Sequence, residues 1–383
     1  MTPPTPCPSC GAEIEAGANF CEACGAQLGE VDATAAAAIP HSGADDRLPI
    51  SRPTSRPQAT APVPPPAPRP CRECGGEVAD DGYCGTCGAK APTEREHFSE
   101  QPVAHVAGVC DRGRLHDRNE DAMALGLTDD GVVLVVCDGV SSSQDSDVAS
   151  LAGARAAREV LTAPLPTGMG TDAAKMAAVT KVLNEAVAAA NEAVIANTAA
   201  DSANPASSTC TIVVVEPTSS GATLWHANVG DSRSYWLPDA GDPVQLTVDD
   251  SGAQQQIAAG VSREVAESSP VAHGITKWLG RDSHDPTPTI GRESVTQPGW
   301  TLICSDGLWN YASAAAALRT QADAAGLSPT ADPLVVADAL VAWANGQGGH
   351  DNITVALARV GNNEPESEST STTPTSEEVP TDG

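Results

Sequence analysis

Aspartate and glutamate at the ends of strand-like apolar runs limit this chain more than any other feature. Four short acidic fragments are scattered along it: Asn119-Glu120-Asp121, Asp138-Gly139, Ser305-Asp306-Gly307 and Asp351-Asn352. Three carry an acid at or just past the end of such a run, and Asp351-Asn352 opens one. Carboxylates gathered against a core are costly unless cations neutralise them. Oxygen ligands of this kind suit hard divalent ions, Mg²⁺ or Mn²⁺. A fold that brings the fragments together is expected to hold such ions.

The chain has 383 residues and a formal net charge of −29. That length allows one large domain with accessories. The charge opposes nucleic acid and anionic membrane as partners. No stretch is apolar and uncharged for long enough to cross a bilayer, and Met1-Thr2-Pro3-Pro4 opens no secretory leader. A cytoplasmic protein is expected.

Eight of the 12 cysteines form CxxC pairs. Cys7 and Cys10 stand with Cys21 and Cys24; Cys71 and Cys74 stand with Cys84 and Cys87. Two thiolates from each of two tight turns complete the tetrahedral site that zinc prefers. Paired disulfides or redox CxxC motifs are the alternative. A reducing compartment disfavours disulfides, and no thioredoxin-like βαβ pattern surrounds the pairs. Two structural Zn²⁺ are therefore expected, in ribbons at 1–28 and 71–90, serving docking or regulation. Each ribbon is too short to fold without its metal. Cys110, Cys137, Cys210 and Cys304 lie singly in or beside apolar runs and are expected as small buried hydrophobes. Residues 29–70 read as a Pro/Ala-rich linker and 361–383 as a disordered acidic tail.

A globular domain is expected at about 102–360. Strand-like runs lie at 131–137, 210–215, 222–229, 300–304 and 353–360. Helical patterns cover 145–162, 171–199, 312–325 and 332–345. Strands group with strands, so the class is α+β, with antiparallel sheets covered by helices. The polar stretch 250–290 reads as an irregular excursion at the rim of a site.

The acidic fragments have further company. Gly113-Arg114-Leu115-His116-Asp117-Arg118 leads into the first. Ser207-Ser208-Thr209 and Asn228-Val229-Gly230-Asp231-Ser232-Arg233 fall between the second and third. This succession resembles the metal-dependent Ser/Thr protein phosphatases of type 2C, across the whole globular domain. The resemblance implies a four-layer α/β/β/α sandwich of two antiparallel sheets flanked by helices. It implies that Asp138 bridges two Mn²⁺ or Mg²⁺ ions and that the Gly139 carbonyl binds one of them. Asp306 and Asp351 would hold the other, and Glu120 and Asp121 would act directly or through water. Asp231 matches the ligand of a third, weaker metal, whereas Arg233 is expected to pair with a nearby carboxylate. The implied reaction is hydrolysis of phosphoserine or phosphothreonine in proteins by a water activated between two metals, opposing Ser/Thr protein kinases. No Cys-x₅-Arg loop or GxSxG motif offers a competing nucleophile.

Three positions depart from the resemblance. His116 stands where many members carry a phosphate-binding Arg, leaving His116, Arg114 and Arg118 as candidates for that contact. Val140 stands where some members carry a proton-donating His, and it is followed by Ser141-Ser142-Ser143. Protonation of the leaving group then falls to His116 or to a metal-bound water. Asn310 replaces an acid linked to the third metal. A phosphoprotein-binding scaffold that docks through its ribbons is the alternative these changes keep open. A nuclease or phosphodiesterase is opposed by the absence of a basic groove.

Overall fold

A computed structural model of the chain describes residues 71–361, apart from 72, 73, 80, 92 and 130, and the backbone at 5–6 and 13–14. Cys7, Cys10, Cys21, Cys24, the linker to residue 70 and the tail from residue 362 lie outside the described residues. The chain separates into two compact units, 1–91 and 92–383. In the first, β1 (Thr5–Pro6) pairs antiparallel with β2 (Glu13–Ile14).

The second unit opens with β3 (His97–Val103), β4 (Val106–Asp111), β5 (Ala122–Leu127) and β6 (Val132–Cys137). Helices α1 (Ser146–Leu161) and α2 (Asp172–Ala196) follow. Next come β7 (Ser207–Ser208), β8 (Cys210–Thr218), β9 (Gly221–Val229), β10 (Arg233–Pro238) and β11 (Val244–Gln245). Short helices α3 (Gly252–Ala258) and α4 (Arg263–Glu267) lead to β12 (Leu279–Gly280), β13 (Thr289–Val295) and β14 (Gly299–Cys304). The unit closes with α5 (Asp306–Trp309), α6 (Ala315–Ala324), α7 (Pro333–Gln347) and β15 (Ile353–Val360).

Two antiparallel sheets form, in the orders β11-β10-β14-β15-β4-β3 and β13-β9-β8-β6-β5. Side chains alternate across a strand, so a strand buried on both faces must be apolar throughout. Strand β6 meets that demand. Val133, Val135 and Cys137 pack with Leu161 of α1 and Leu183 of α2. Val132, Leu134 and Val136 join Ile303, Ala356 and Ala358 of the other sheet. Strand β15 divides likewise, sending Ile353, Val355 and Leu357 to the layer that holds Leu340 and Val341 of α7. Three apolar layers therefore bind four structural ones, the expected α/β/β/α sandwich. Each fully buried aliphatic contributes roughly 1.5–3 kcal/mol. Capping fixes the long helices: Thr171 Oγ1 accepts Ala174 N at 3.2 Å ahead of α2, and Asp332 Oδ1 accepts Leu334 N at 2.9 Å ahead of α7.

Several expectations need correction. Asn119-Glu120-Asp121 does not close an apolar run; it opens β5. The six-stranded sheet starts with β3 at His97, ahead of the expected boundary near 102. The stretch 250–290 is less irregular than its polarity suggests, because α3 and α4 close a small core of Ala253, Ala266 and Ala272. The lone cysteines Cys110, Cys137, Cys210 and Cys304 are buried, as expected. Among the described residues, no helix is long and apolar enough to cross a membrane.

Candidate active site

Antiparallel pairing collects the acids at one end of the sandwich. Ala122 pairs with Cys137, so Asp121 and Asp138, one residue further on, stand side by side. Cys304 pairs with Val355, which brings the residues after β14 to those before β15. Close backbone approach completes the convergence. A Cβ at Gly307 would lie 1.9 Å from the Asn352 carbonyl oxygen, and one at Gly139 would lie 2.6 Å from that of Glu120. Only glycine allows contacts of this kind.

Each acid is held by its backbone or by neighbouring hydroxyls. Asp138 N donates to Thr209 Oγ1 at 2.9 Å, and its carbonyl accepts Thr209 N at 2.8 Å and Ser208 Oγ at 3.0 Å. Asp121 Oδ2 accepts Ser305 Oγ at 2.6 Å and Thr354 Oγ1 at 2.8 Å. Asp306 Oδ2 accepts Asn310 Nδ2 at 3.1 Å. Asp351 Oδ1 accepts Asn352 N at 2.7 Å. The other oxygens, Asp121 Oδ1 and Asp306 Oδ1, are buried without a hydrogen-bond partner. A hard cation is the partner that such oxygens lack. Among the described residues, no three carboxylates bring ligand oxygens within 4.8 Å of one another.

Burial raises Asp138 well above the carboxylate range, and the charges of Asp121, Asp306, Asp351 and Asp231 add to the effect. Burial, with neighbouring acids, also lifts Asp121, Asp306 and Asp351 to about 7. The metal-free folded state therefore binds protons more tightly than the unfolded chain. The resulting stability is fully present below about pH 4 and is lost as pH rises through about 7. A loss on the order of a few kcal/mol is expected over that window. Carboxylates held low by arginine, such as Asp239 beside Arg359, act in the opposite direction and in a more acidic window. Thermal melts of metal-stripped protein should fall from pH 5 to pH 8, and Mn²⁺ should remove most of the fall. A flat or rising profile would contradict the clustering.

Asn352 organises the loop that carries Glu120. Its Oδ1 accepts Glu120 N at 2.7 Å, while its Nδ2 donates to the carbonyls of Arg112 at 2.7 Å and Arg118 at 3.1 Å. Glu120 Oε1 accepts Arg118 Nη2 at 2.8 Å and also the Ser146 hydroxyl. Arg118 is thus committed to Glu120, with Asp147 3.8 Å away. His116 lies 3.3 Å from Asp351 and 3.8 Å from Glu120. Asp231 is buried, and its carbonyl accepts Trp309 Nε1 at 2.9 Å. Arg233 pairs with Asp249 at 2.7 Å and stacks on Trp309 at 3.5 Å, so it takes the structural part expected of it.

In the first unit, Cys71, Cys74, Cys84 and Cys87 gather their sulfurs within 4.8 Å. Cys71 and Cys87 lie 3.6 Å apart, and Cys74 and Cys84 3.5 Å. Tetrahedral zinc thiolates have S···S edges of about 3.8 Å. No disulfide joins the four.

Two antiparallel sheets flanked by helices thus carry the acids at one end of an α/β/β/α sandwich. A model of the protein phosphatase 2C family matches residues 113–343, and the chain belongs to that family. A zinc-ribbon domain model matches residues 7–28. The serine/threonine phosphatase stp of Listeria innocua is 29% identical over 258 residues, covering 66% of this chain and 94% of that protein. The Mycobacterium tuberculosis serine/threonine phosphatase PstP/Ppp superposes with a TM-score of 0.51 at 26% identity, over 66% of this chain and 97% of that one. Staphylococcus aureus Stp1 gives 0.53 at 22% identity, over 68% and 97%, a likeness of fold alone.

Proposed function

We propose that the chain hydrolyses phosphoserine and phosphothreonine in proteins, with Mn²⁺ or Mg²⁺, and so opposes Ser/Thr kinases. The observation that carries this is the convergence of Asp121, Asp138, Asp306 and Asp351, with Asp121 Oδ1 and Asp306 Oδ1 buried and unpartnered. Asp138, the Gly139 carbonyl, Asp306 and Asp351 would hold two ions, with Glu120 and Asp121 beside them and Asp231 at a weaker third site. When bound, the ions would lower the pKa of a water and neutralise phosphate oxygens. A cytoplasmic setting and one zinc in each ribbon belong to the same proposal.

The surrounding residues have separable parts in this reading. Arg118 orients Glu120, to which it is bonded. Arg114 is exposed on the same loop, its backbone N donating to Gly349 O at 2.8 Å, and among the described residues its guanidinium has no ion-pair partner, which leaves it to take substrate phosphate. His116, between Glu120 and Asp351, can carry a proton to the leaving group. Arg114→Ala should raise KM about tenfold with little change in kcat, whereas Arg118→Ala should lower kcat. Steady-state kinetics on p-nitrophenyl phosphate decides, and the reverse pattern would exchange the two assignments.

The test of the whole reading is Mn²⁺-dependent phosphate release from a phosphothreonine peptide, abolished by EDTA. Val140 and His116 favour one other outcome, the scaffold that binds phosphopeptide without turnover. Tight binding with no release in either metal would establish it.

A further inference from the structure

A cleft of about 290 Å³ abuts the acidic cluster, and of the proposed metal ligands only Asp351 lines it. Asp351 forms the wall nearest the cluster; Trp309 and Tyr311 come from α5 and the turn after it. His350 precedes Asp351, and Glu267 and His273 come from the α3–α4 excursion. The aromatic wall is fixed. Trp309 carries His273 at 6.5 Å with ring planes 21° apart. Tyr311 meets Trp343 edge-on at 6.2 Å, and its hydroxyl accepts His350 N at 3.1 Å. The volume is at the lower end of ligand pockets and has room for one long side chain. No lysine or arginine lines it, two carboxylates do, and the chain carries a net charge of −29.

We infer that this cleft receives the side chain flanking the phosphoresidue and that it selects lysine or arginine there. The inference rests on the proposed phosphatase reading, because the cluster places the phosphate and the cleft then takes its neighbour. Arg233 already covers one face of Trp309 at 3.5 Å, so a cation in the cleft meets the Tyr311 ring, with the Glu267 and Asp351 carboxylates at the rim, and gains from both the ring quadrupole and the local field. An acidic flank meets repulsion from the same groups. Glu267 is already bonded to Arg233 at 3.3 Å and Arg263 at 2.8 Å, so the field is shared and the ring sets the geometry.

The test compares phosphothreonine peptides that differ only in having Arg, Leu or Glu next to the phosphoresidue, assayed with the full chain in Mn²⁺. Arg should exceed Glu in kcat/KM by about tenfold, with Leu between them. Tyr311→Leu keeps an apolar wall without the π face and should shrink that ratio. His273→Lys, at an exposed position, should reverse it. Neither variant should change the rate on p-nitrophenyl phosphate, which has no flanking residue. Equal rates for all three peptides, or an unchanged Arg preference in His273→Lys, would overturn the cleft assignment while the phosphatase reading stands. Absence of hydrolysis of any substrate, p-nitrophenyl phosphate included, overturns both.

Discussion

Asp138→Asn is expected to lower kcat on p-nitrophenyl phosphate in Mn²⁺ by roughly 10³-fold or more. The carboxylate stands where the charges of four other aspartates act on it, and an amide oxygen is a far weaker ligand for a hard cation. The fold should survive, because what fixes Asp138 is its backbone. Its N–H and carbonyl hold Thr209 and Ser208, and asparagine keeps both groups. The sign of the stability change separates a metal-binding part from a structural one. In metal-free protein the substitution removes a carboxyl whose ionisation burial and its neighbours oppose, so the melting temperature should rise or stay level. In Mn²⁺ the variant should gain less than wild type, because a protein is stabilised by what its folded state binds. Wild-type turnover in the variant would refute the assignment. So would lost turnover with a lowered metal-free melting temperature, which marks a residue needed only for folding.

The parts of this fold that were legible in the sequence are those buried on both faces. Strands β6 and β15 read as continuous branched runs because each side of each strand meets an apolar layer. Strand β13 gave no such signal. Thr289–Val295 lies at a sheet edge and is mostly exposed, so its residues need not be apolar. Strand β5, Ala-Met-Ala-Leu-Gly-Leu, is buried yet has no β-branched or aromatic residue, so it carries little strand preference. That weak signal is why Asn119-Glu120-Asp121 was placed at the wrong end of a run. The acids themselves were legible from their order, and the positioning residues were not. Asn352 reaches Glu120, and Ser305 and Thr354 reach Asp121, only after distant strands have paired. Neither spacing nor periodicity encodes contacts made that way. The Arg118–Glu120 pair is different: two opposite charges two residues apart could have been weighed before any fold was known.

Zinc removal should have the second large effect, confined to the first unit. In residues 71–91 the buried hydrophobic positions among those described are Cys71 and Cys84, so no apolar core holds the segment. What holds it is a repeated turn. Gly75 N donates to Cys71 O at 2.7 Å, and Gly88 N donates to Cys84 O at 2.9 Å, each turn presenting two sulfurs to the same point. Backbone N–H groups of Cys87 and Thr86 lower the Cys84 thiol while the neighbouring sulfurs push Cys87 the other way, so the four share one thiolate charge until a cation such as zinc neutralises them. Structural zinc in units of this size contributes on the order of 10–16 kcal/mol, more than a segment without a core can replace. The full chain should contain about two zinc ions, one for each set of four cysteines. Cys84→Ser should lose about one of them and leave the amides of 71–91 open to hydrogen exchange. Hydrolysis in Mn²⁺ should persist, because the larger unit has three apolar layers of its own. Unchanged zinc content in the variant would exclude these cysteines as the site. Pairwise oxidation of the four thiols in the purified wild-type protein would replace zinc with disulfides as the device that closes the unit.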